Sequence, residues 1–320
     1  MKKVLLYNPA IGTTDTGDEI VYESCVKVIK EIFPDSFRIQ YSSHTPVPFL
    51  YHLRTVKHCD FKFACGTNML DSYMLKPFRQ WDVTLFNAWH VGPAILIGMG
   101  WRQYMGDPDL YTRLLYRKLL SKEYIHSVRD SYTEHKLKKI GITNVINTSC
   151  PTMWDLTESH CSKIPVKKAD NVITTLTDYK KKPAEDRKLI IYLLQNYKRV
   201  FFWVQGAGDF EYLKFELNFH NGIDIINPGL DNFDAVLNSD MQLDYIGTRL
   251  HGGIRALQKG RRTLIIGLDN RAKEKQRDFN LNVLEREKVD LLPEVIHRDI
   301  VTKIITPVNN IQIWKNQFLK

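Results

Sequence analysis

Apolar residues recur along the chain in two rhythms, short unbroken runs and spacings of three and four, and the two alternate from end to end. Val4-Leu5-Leu6-Tyr7 is the first run and reads as a strand. Asn8 to Gly17 is a polar loop, and the stretch from Ile20 to Phe33 sets Val21, Cys25, Val28 and Ile32 on one helical face before Pro34. Further strands are expected from Phe61 to Cys65, Ala94 to Gly98 and Tyr124 to Val128, the last leading into a helix capped by Asp130 or Ser131 that reaches Ile140-Gly141. Between Asp155 and Lys168 the pattern lapses into polar residues. It restarts with a strand from Val172 to Leu176 and a helix from Ala184 to Asn196 behind Pro183. Strands then follow from Arg199 to Val204, Ile223 to Ile226, Leu243 to Ile246 and Thr263 to Ile266. Helical segments lie between them, from Asn232 to Leu237 and from Gly253 to Gln258.

Strands separated by helices, too far apart for hairpins, call for parallel sheets joined by crossover helices. The pattern therefore predicts an α/β chain of two Rossmann-like domains facing across a cleft. The first is expected over residues 1–160 and the second over 168–305, with residues 306–320 as a closing helix that packs back on the first. Ligands of such domains bind at the carboxyl ends of the strands, so the strand-end loops are where chemistry is expected.

Composition narrows the class. At 320 residues, 43% hydrophobic and 25% charged, the chain is globular and long for one core. The opening Met1-Lys2-Lys3 resembles the start of a signal peptide, but the apolar run stops at Asn8-Pro9 with no small-residue cleavage site behind it. The longest apolar stretch, around Ile95-Leu96-Ile97, is far shorter than the ~18 residues of a spanning helix. Cys25, Cys59, Cys65, Cys150 and Cys161 form no C-x-x-C pair, which argues against a zinc site and a disulfide framework and for a reducing cytoplasm. Forty-five Lys and Arg against 36 Asp and Glu give a net charge of +9, which favours an acidic partner. The basic residues are dispersed, without the basic and aromatic clustering of a nucleic-acid groove, so small or membrane-linked anions are expected instead.

Four strand-end loops carry candidate chemistry. After the first strand, Gly12 and Gly17 would let backbone N–H groups approach a ligand, and Asp18 would orient or deprotonate a sugar hydroxyl; helix capping by Thr16 or Asp18 is the competing role. In Ser127-Val128-Arg129-Asp130, Arg129 suits a carboxylate or phosphate, or a structural pair with Asp130. In Gly247-Thr248-Arg249-Leu250-His251-Gly252-Gly253, a strand runs into a helix expected to start at the glycines, the arrangement of an anion site. There Arg249 adds a fork-shaped clamp, and His251 adds a donor whose free pKa of ~6.5 lies near neutrality. The fourth loop places Asp269 and Arg271 beside the third if their strands are neighbours. Trp81, Phe86, Trp89, His90 and Trp101 would serve as a sugar platform or as core.

The ordered set Thr16-Gly17-Asp18-Glu19-Ile20, Ser127-Val128-Arg129-Asp130 and Gly247-Thr248-Arg249-Leu250-His251-Gly252 resembles the polysaccharide pyruvyl transferase family. Cys65-Gly66-Thr67-Asn68 stands where that family has a glycine-rich turn, and Cys150-Pro151 where relatives often have Asp-Pro. The resemblance implies a glycosyltransferase-B-like pair of domains that transfers the enolpyruvyl group of phosphoenolpyruvate to two hydroxyls of a sugar. The products are a cyclic ketal and phosphate. It further implies that Arg129, Arg249 and His251 contact phosphoenolpyruvate, with Leu250 contributing through its backbone. On this view phosphoenolpyruvate is a co-substrate, no metal or resident cofactor is needed, and the acceptor is a saccharide of a surface polysaccharide, free or linked to a lipid diphosphate.

His251 is then the expected acid and Asp18 the expected base, with Gly17, Gly252 and Arg271 lining the substrate. The chain is expected in the cytoplasm, with peripheral contact at the membrane's inner face. A nucleotide-sugar glycosyltransferase on the same architecture, with a diphosphate at the helix end, is the alternative enzyme. A non-catalytic sugar- or phosphate-binding module is the alternative outside catalysis.

Overall fold

Runs such as Val4-Leu5-Leu6-Tyr7 and Leu264-Ile265-Ile266 are apolar on both faces, which suits only strands covered by helices on either side. The computed structural model describes residues 1–319 and places both of these runs in parallel sheets. In chain order the first elements are β1 (Lys2–Asn8), α1 (Gly17–Ile32), β2 (Ser36–Ser42), α2 (Phe49–Arg54), β3 (Phe61–Leu70), α3 (Ala88–Val91), β4 (Ile95–Trp101), α4 (Leu110–Leu119), β5 (His126–Val128), α5 (Ser131–Lys139) and β6 (Val145–Asn147). Then come α6 (Glu158–Cys161), β7 (Asn171–Thr174), α7 (Pro183–Asn196), β8 (Arg199–Trp203), α8 (Asp209–Glu211), β9 (Ile223–Ile226), α9 (Leu230–Leu237), β10 (Leu243–Gly247), α10 (Leu250–Gln258), β11 (Arg262–Gly267), α11 (Asn270–Phe279), β12 (Val283–Glu285), α12 (Leu292–His297) and α13 (Val308–Asn316).

The chain divides into two units. Residues 1–13, 21–154 and 306–320 form the first, and residues 14–20 and 155–305 the second. The first is built on a six-stranded sheet in the order β2-β1-β3-β4-β5-β6. One of its two helical faces is completed by α13, whose Trp314 is fully buried against Trp154, Phe63 and Phe318. The second unit carries the order β12-β11-β10-β7-β8-β9. Both are doubly wound Rossmann-like units, as the alternation of runs and helical spacings predicts.

Two buried arginines in the second unit show which end of its sheet is scaffold. Arg262, at the amino end of β11, donates to Asp244 Oδ2 on β10 at 2.5 Å and to the carbonyls of Ile296 and Arg298, while Tyr197 Oη donates to the same Asp244 oxygen at 2.6 Å. This closed network ties neighbouring strands together away from the ligand edge. The other arginine, Arg249, lies at the carboxyl end. Among the described residues no helix is long and apolar enough to cross a membrane.

Candidate active site

The strand order of the second unit fixes where its crevice lies. The chain leaves β7 for β8 and β9 on one side, then returns to β10, β11 and β12 on the other, so the switch point falls between β7 and β10. In open parallel sheets that point, beyond the carboxyl ends, is the ligand position. Here the two strand ends approach closely, since a Cβ on Gly247 would stand 2.5 Å from Thr175 Oγ1. Thr248 N donates to the Thr175 carbonyl at 3.0 Å, Arg249 N to Thr175 Oγ1 at 3.2 Å, and the hydroxyls of Thr177 and Thr248 meet at 2.8 Å.

From this junction α10 begins at Leu250, two residues earlier than the glycines suggested, so His251, Gly252 and Gly253 lie within its first turn. The glycines have a packing reason. A Cβ on Gly253 would stand 2.0 Å from Ile265 Cδ1, and one on Gly252 2.9 Å from Gln205 Oε1 and 3.0 Å from Tyr245 Oη. The helix start is thereby pressed onto β10 and β11. Arg249 is its N-cap and makes no side-chain capping bond, and the first N–H to close a helical turn is that of Gly253, which donates to the Arg249 carbonyl at 3.1 Å. His251 is buried there, 6% exposed.

Every guanidinium nitrogen of Arg249 is engaged. Nη1 donates to Asp15 Oδ2 at 2.8 Å, Nη2 to Asp178 Oδ1 at 3.0 Å and to Asp209 Oδ1, and Nε to the Leu176 carbonyl at 2.9 Å and to Asp209 Oδ2 at 3.1 Å. Burial works against the charge on Arg249, but Asp15 and Asp209 outweigh it and hold the guanidinium firmly protonated. Three carboxylates around one cation leave excess negative charge. Burial pushes the Asp209 carboxyl up to about 6 even against Arg249, so the cluster takes up a proton just below neutrality.

Asp15 ties the Gly17–Asp18 helix start to this cluster. Its Oδ1 accepts from Gly17 N and from Gln205 Nε2, each at 2.8 Å, and its carbonyl accepts from Asp18 N at 3.1 Å. Asp18 is half-buried in the first turn of α1. Asp15 thus provides a side-chain link at this helix start.

The fourth loop joins the same group because β10 and β11 are hydrogen-bonded neighbours. Asp269 caps α11 and holds Arg271 (Nε to Oδ2 at 3.0 Å) and Lys180 (Nζ to Oδ2 at 3.1 Å). Burial raises the Asp269 pKa, but Arg271 and Lys180 prevail and hold it well below the usual carboxylate range. Tyr179 bridges the two arginines: its ring covers Arg249 at 5.0 Å, and its hydroxyl accepts from Arg271 Nη2 at 3.1 Å. Gln205 Oε1 and both side-chain polar atoms of Asn270 are buried without a hydrogen-bond partner among the described residues. Buried polar atoms are rarely left so.

Sequence reasoning missed Asp15, Asp178, Tyr179, Lys180, Gln205 and Asp209. Each lies at a strand end or in the loop before α1, so applying the strand-end rule to the loops after β7 and β8 would have reached most of them.

In the first unit Arg129 is 1% exposed and packs on bare Gly100. Its Nη1 donates to Asn68 Oδ1 at 2.5 Å, Nη2 to the Trp101 carbonyl at 3.0 Å and Nε to Asp130 Oδ2 at 3.1 Å, and Asp130 caps α5 through Thr133 N. The segment Cys65-Gly66-Thr67-Asn68 is an irregular stretch of β3 rather than a turn, with Thr67 at φ +81°. A Cβ on Gly100 would stand 1.9 Å from Arg129 Nε. Gly100→Ala should therefore displace the guanidinium and lower the stability of this unit by about 2 kcal/mol, read from thermal unfolding. An unchanged melting transition would show that the site tolerates the methyl group.

The aromatic platform does not form as one surface. Trp81 and Trp101 are core residues at 1% and 0% exposure, whereas Phe86 and Trp89 are 88% and 48% exposed.

Comparison with known proteins adds the following. No curated protein is significantly similar to the chain in sequence. Among solved structures, it is similar to Arabidopsis thaliana UGT89C1 complexed with quercetin, at 8% identity over 99% of this chain and 94% of that one, with a TM-score of 0.48. UDP-GlcNAc 2-epimerase from Neisseria meningitidis bound to UDP-GlcNAc is 11% identical over 99% and 94%, with a TM-score of 0.44. E. coli heptosyltransferase WaaC with ADP is 10% identical over 92% and 100%, with a TM-score of 0.38. Likeness at that level says nothing of activity. The sequence model of one family, by contrast, matches residues 15–270, from the aspartate that holds Arg249 to the asparagine that opens α11. The chain belongs to the polysaccharide pyruvyl transferase family.

Proposed function

We propose that the protein moves the enolpyruvyl group of phosphoenolpyruvate onto two hydroxyls of a saccharide acceptor, forming a cyclic pyruvate ketal and releasing phosphate. The observation that carries this reading is the position of Arg249 and His251, which open a helix at the switch point of a sheet in a chain of this family. The N–H groups at the start of α10 hold the donor's phosphate oxygens, and the orphaned polar atoms of Gln205 and Asn270 find partners on the substrate. Arg249 and Arg271 face the donor's negative charge as its binding draws them from their aspartates.

His251 delivers a proton to the methylene carbon of the donor, which becomes a methyl group and leaves an electron-poor centre bearing phosphate and carboxylate. A sugar hydroxyl attacks that centre and loses its proton to Asp18. Phosphate departs, the second hydroxyl adds, and its proton leaves with the phosphate. One proton gained by carbon is thus balanced by one of the two lost from the hydroxyls.

Incubating the purified protein with phosphoenolpyruvate and a panel of saccharides, free and lipid-diphosphate-linked, tests this reading by phosphate release and acceptor mass. Release with a mass gain of one ketal unit is expected for at least one acceptor. Absence of any phosphoenolpyruvate binding by calorimetry would sink the assignment. Asp18→Asn should lower turnover about 10²-fold while leaving donor binding intact.

A further inference from the structure

The first unit carries an apolar surface that transfer chemistry does not account for. Phe49 and Leu50 on α2 are 50% and 67% exposed, Phe86 and Trp89 at α3 are 88% and 48%, and Leu110 and Leu114 on α4 are 72% and 45%. Large apolar side chains exposed singly are ordinary, but these are joined. The rings of Phe49 and Trp89 lie 6.0 Å apart, and His52 meets Trp89 edge-on at 5.1 Å. The Phe86 segment is fastened to α4, since Lys118 Nζ donates to the Leu85 carbonyl at 3.3 Å and Leu85 N to Tyr111 Oη at 2.9 Å. Along α4, Leu110, Leu114 and Lys118 recur every fourth residue and so share one face.

Charge supplies the second observation. The segments that carry this surface, residues 36–59, 83–106 and 110–122, contain no Asp or Glu. They do contain exposed Arg54, Lys57, Arg113, Arg117 and Lys118. Asp60, Asp82, Asp107, Asp109 and Glu123 border these segments; Asp60 accepts from Lys3 N, Asp82 pairs with Arg79, Asp107 with Lys136 and Lys139, and Asp109 caps α4 through Thr112 N. Aromatic and leucine side chains on segments that carry exposed cations and no acid of their own suit a headgroup layer in which rings enter the acyl boundary and cations meet phosphates.

We propose that the surface formed by α2, the Phe86–Trp89 segment and α4 docks the protein onto a membrane face containing anionic phospholipid. This goes beyond the transfer reading, and its test uses no phosphoenolpyruvate, so either can fail alone. The full-length protein would be floated with vesicles of phosphatidylcholine, with and without phosphatidylglycerol. Binding should require phosphatidylglycerol and weaken as salt rises. The pair Phe86→Ser and Trp89→Ser should lower partition at least tenfold, and the pair Arg54→Glu and Lys118→Glu should do likewise, since each cation near such a surface is worth about fivefold.

A variant-free readout also exists. Of the six tryptophans only Trp89 is exposed, the other five being at most 8% accessible, so brominated acyl chains should quench the emission of Trp89 alone. The proposal is overturned by no association at saturating phosphatidylglycerol, by parental binding in the Ser pair, or by a lipid-free dimer that the Ser pair dissolves.

Discussion

Arg249→Ala is expected to destabilise the second unit by about 3 kcal/mol, because it strands three carboxylates around a vacated site. The figure belongs at the low end of what breaking a buried pair does. Asp209 is fully buried, but the side chains of Asp15 and Asp178 are 30% and 29% exposed and recover some hydration. The loss should depend on pH. With Arg249 present, Asp209 has a folded-state pKa raised from 3.8 to about 6, so its contribution is fully present below pH 3.8 and is lost as pH rises through 6. Removing the guanidinium raises that pKa further and extends the loss to higher pH. Parent and variant should therefore differ most above pH 6 and converge as the pH falls toward 4, in thermal unfolding followed across that range. A pH-independent gap would show that the aspartates are not the stranded groups.

His251→Ala should reduce turnover about 10³-fold at saturating substrates, the scale of a positioned acid. Its kinetic form separates two duties. If the imidazole delivers the proton, kcat falls and donor KM holds. If it only binds phosphate as a cation, KM rises and kcat changes little. Near-parental values of both would remove His251 from the mechanism, with circular dichroism confirming that α10 survives the change.

The strands that were legible are those whose composition leaves no other option. β7, β8, β10 and β11 are rich in apolar and aromatic residues and buried along nearly their whole length. Elements that do not fill a core escaped. β2, Ser-Phe-Arg-Ile-Gln-Tyr-Ser, is an edge strand with little of its surface covered, and α11 buries Glu274 and Lys275 among few apolar residues, so neither shows a clear period. α4 reads as a helix only once its exposed leucines are set aside as belonging to another surface.

At the candidate site the sequence pointed to Arg249 and His251 because strand, cation and glycines are contiguous there. It did not point to Asp178 or Asp209. A carboxylate after β7 or β8 looks like any solvated loop residue until the strand order brings both to β10. Gly252 and Gly253 suggest the start of an anion-binding helix, yet Gly253 is needed where α10 presses on Ile265, a contact invisible without the neighbouring strand.

The burial of Trp314 among Phe63, Trp154 and Phe318 bears on the order in which the chain matures during synthesis. Domains commonly fold in the order in which they emerge from the ribosome. Here residues 14–20 and 155–305 are all available before α13 exists, whereas the unit that begins at Met1 has an aromatic face waiting for residues 306–319. The half translated first is the half finished last. Until Phe318 arrives behind α13, Phe33, Phe61 and Phe63 remain without part of their cover.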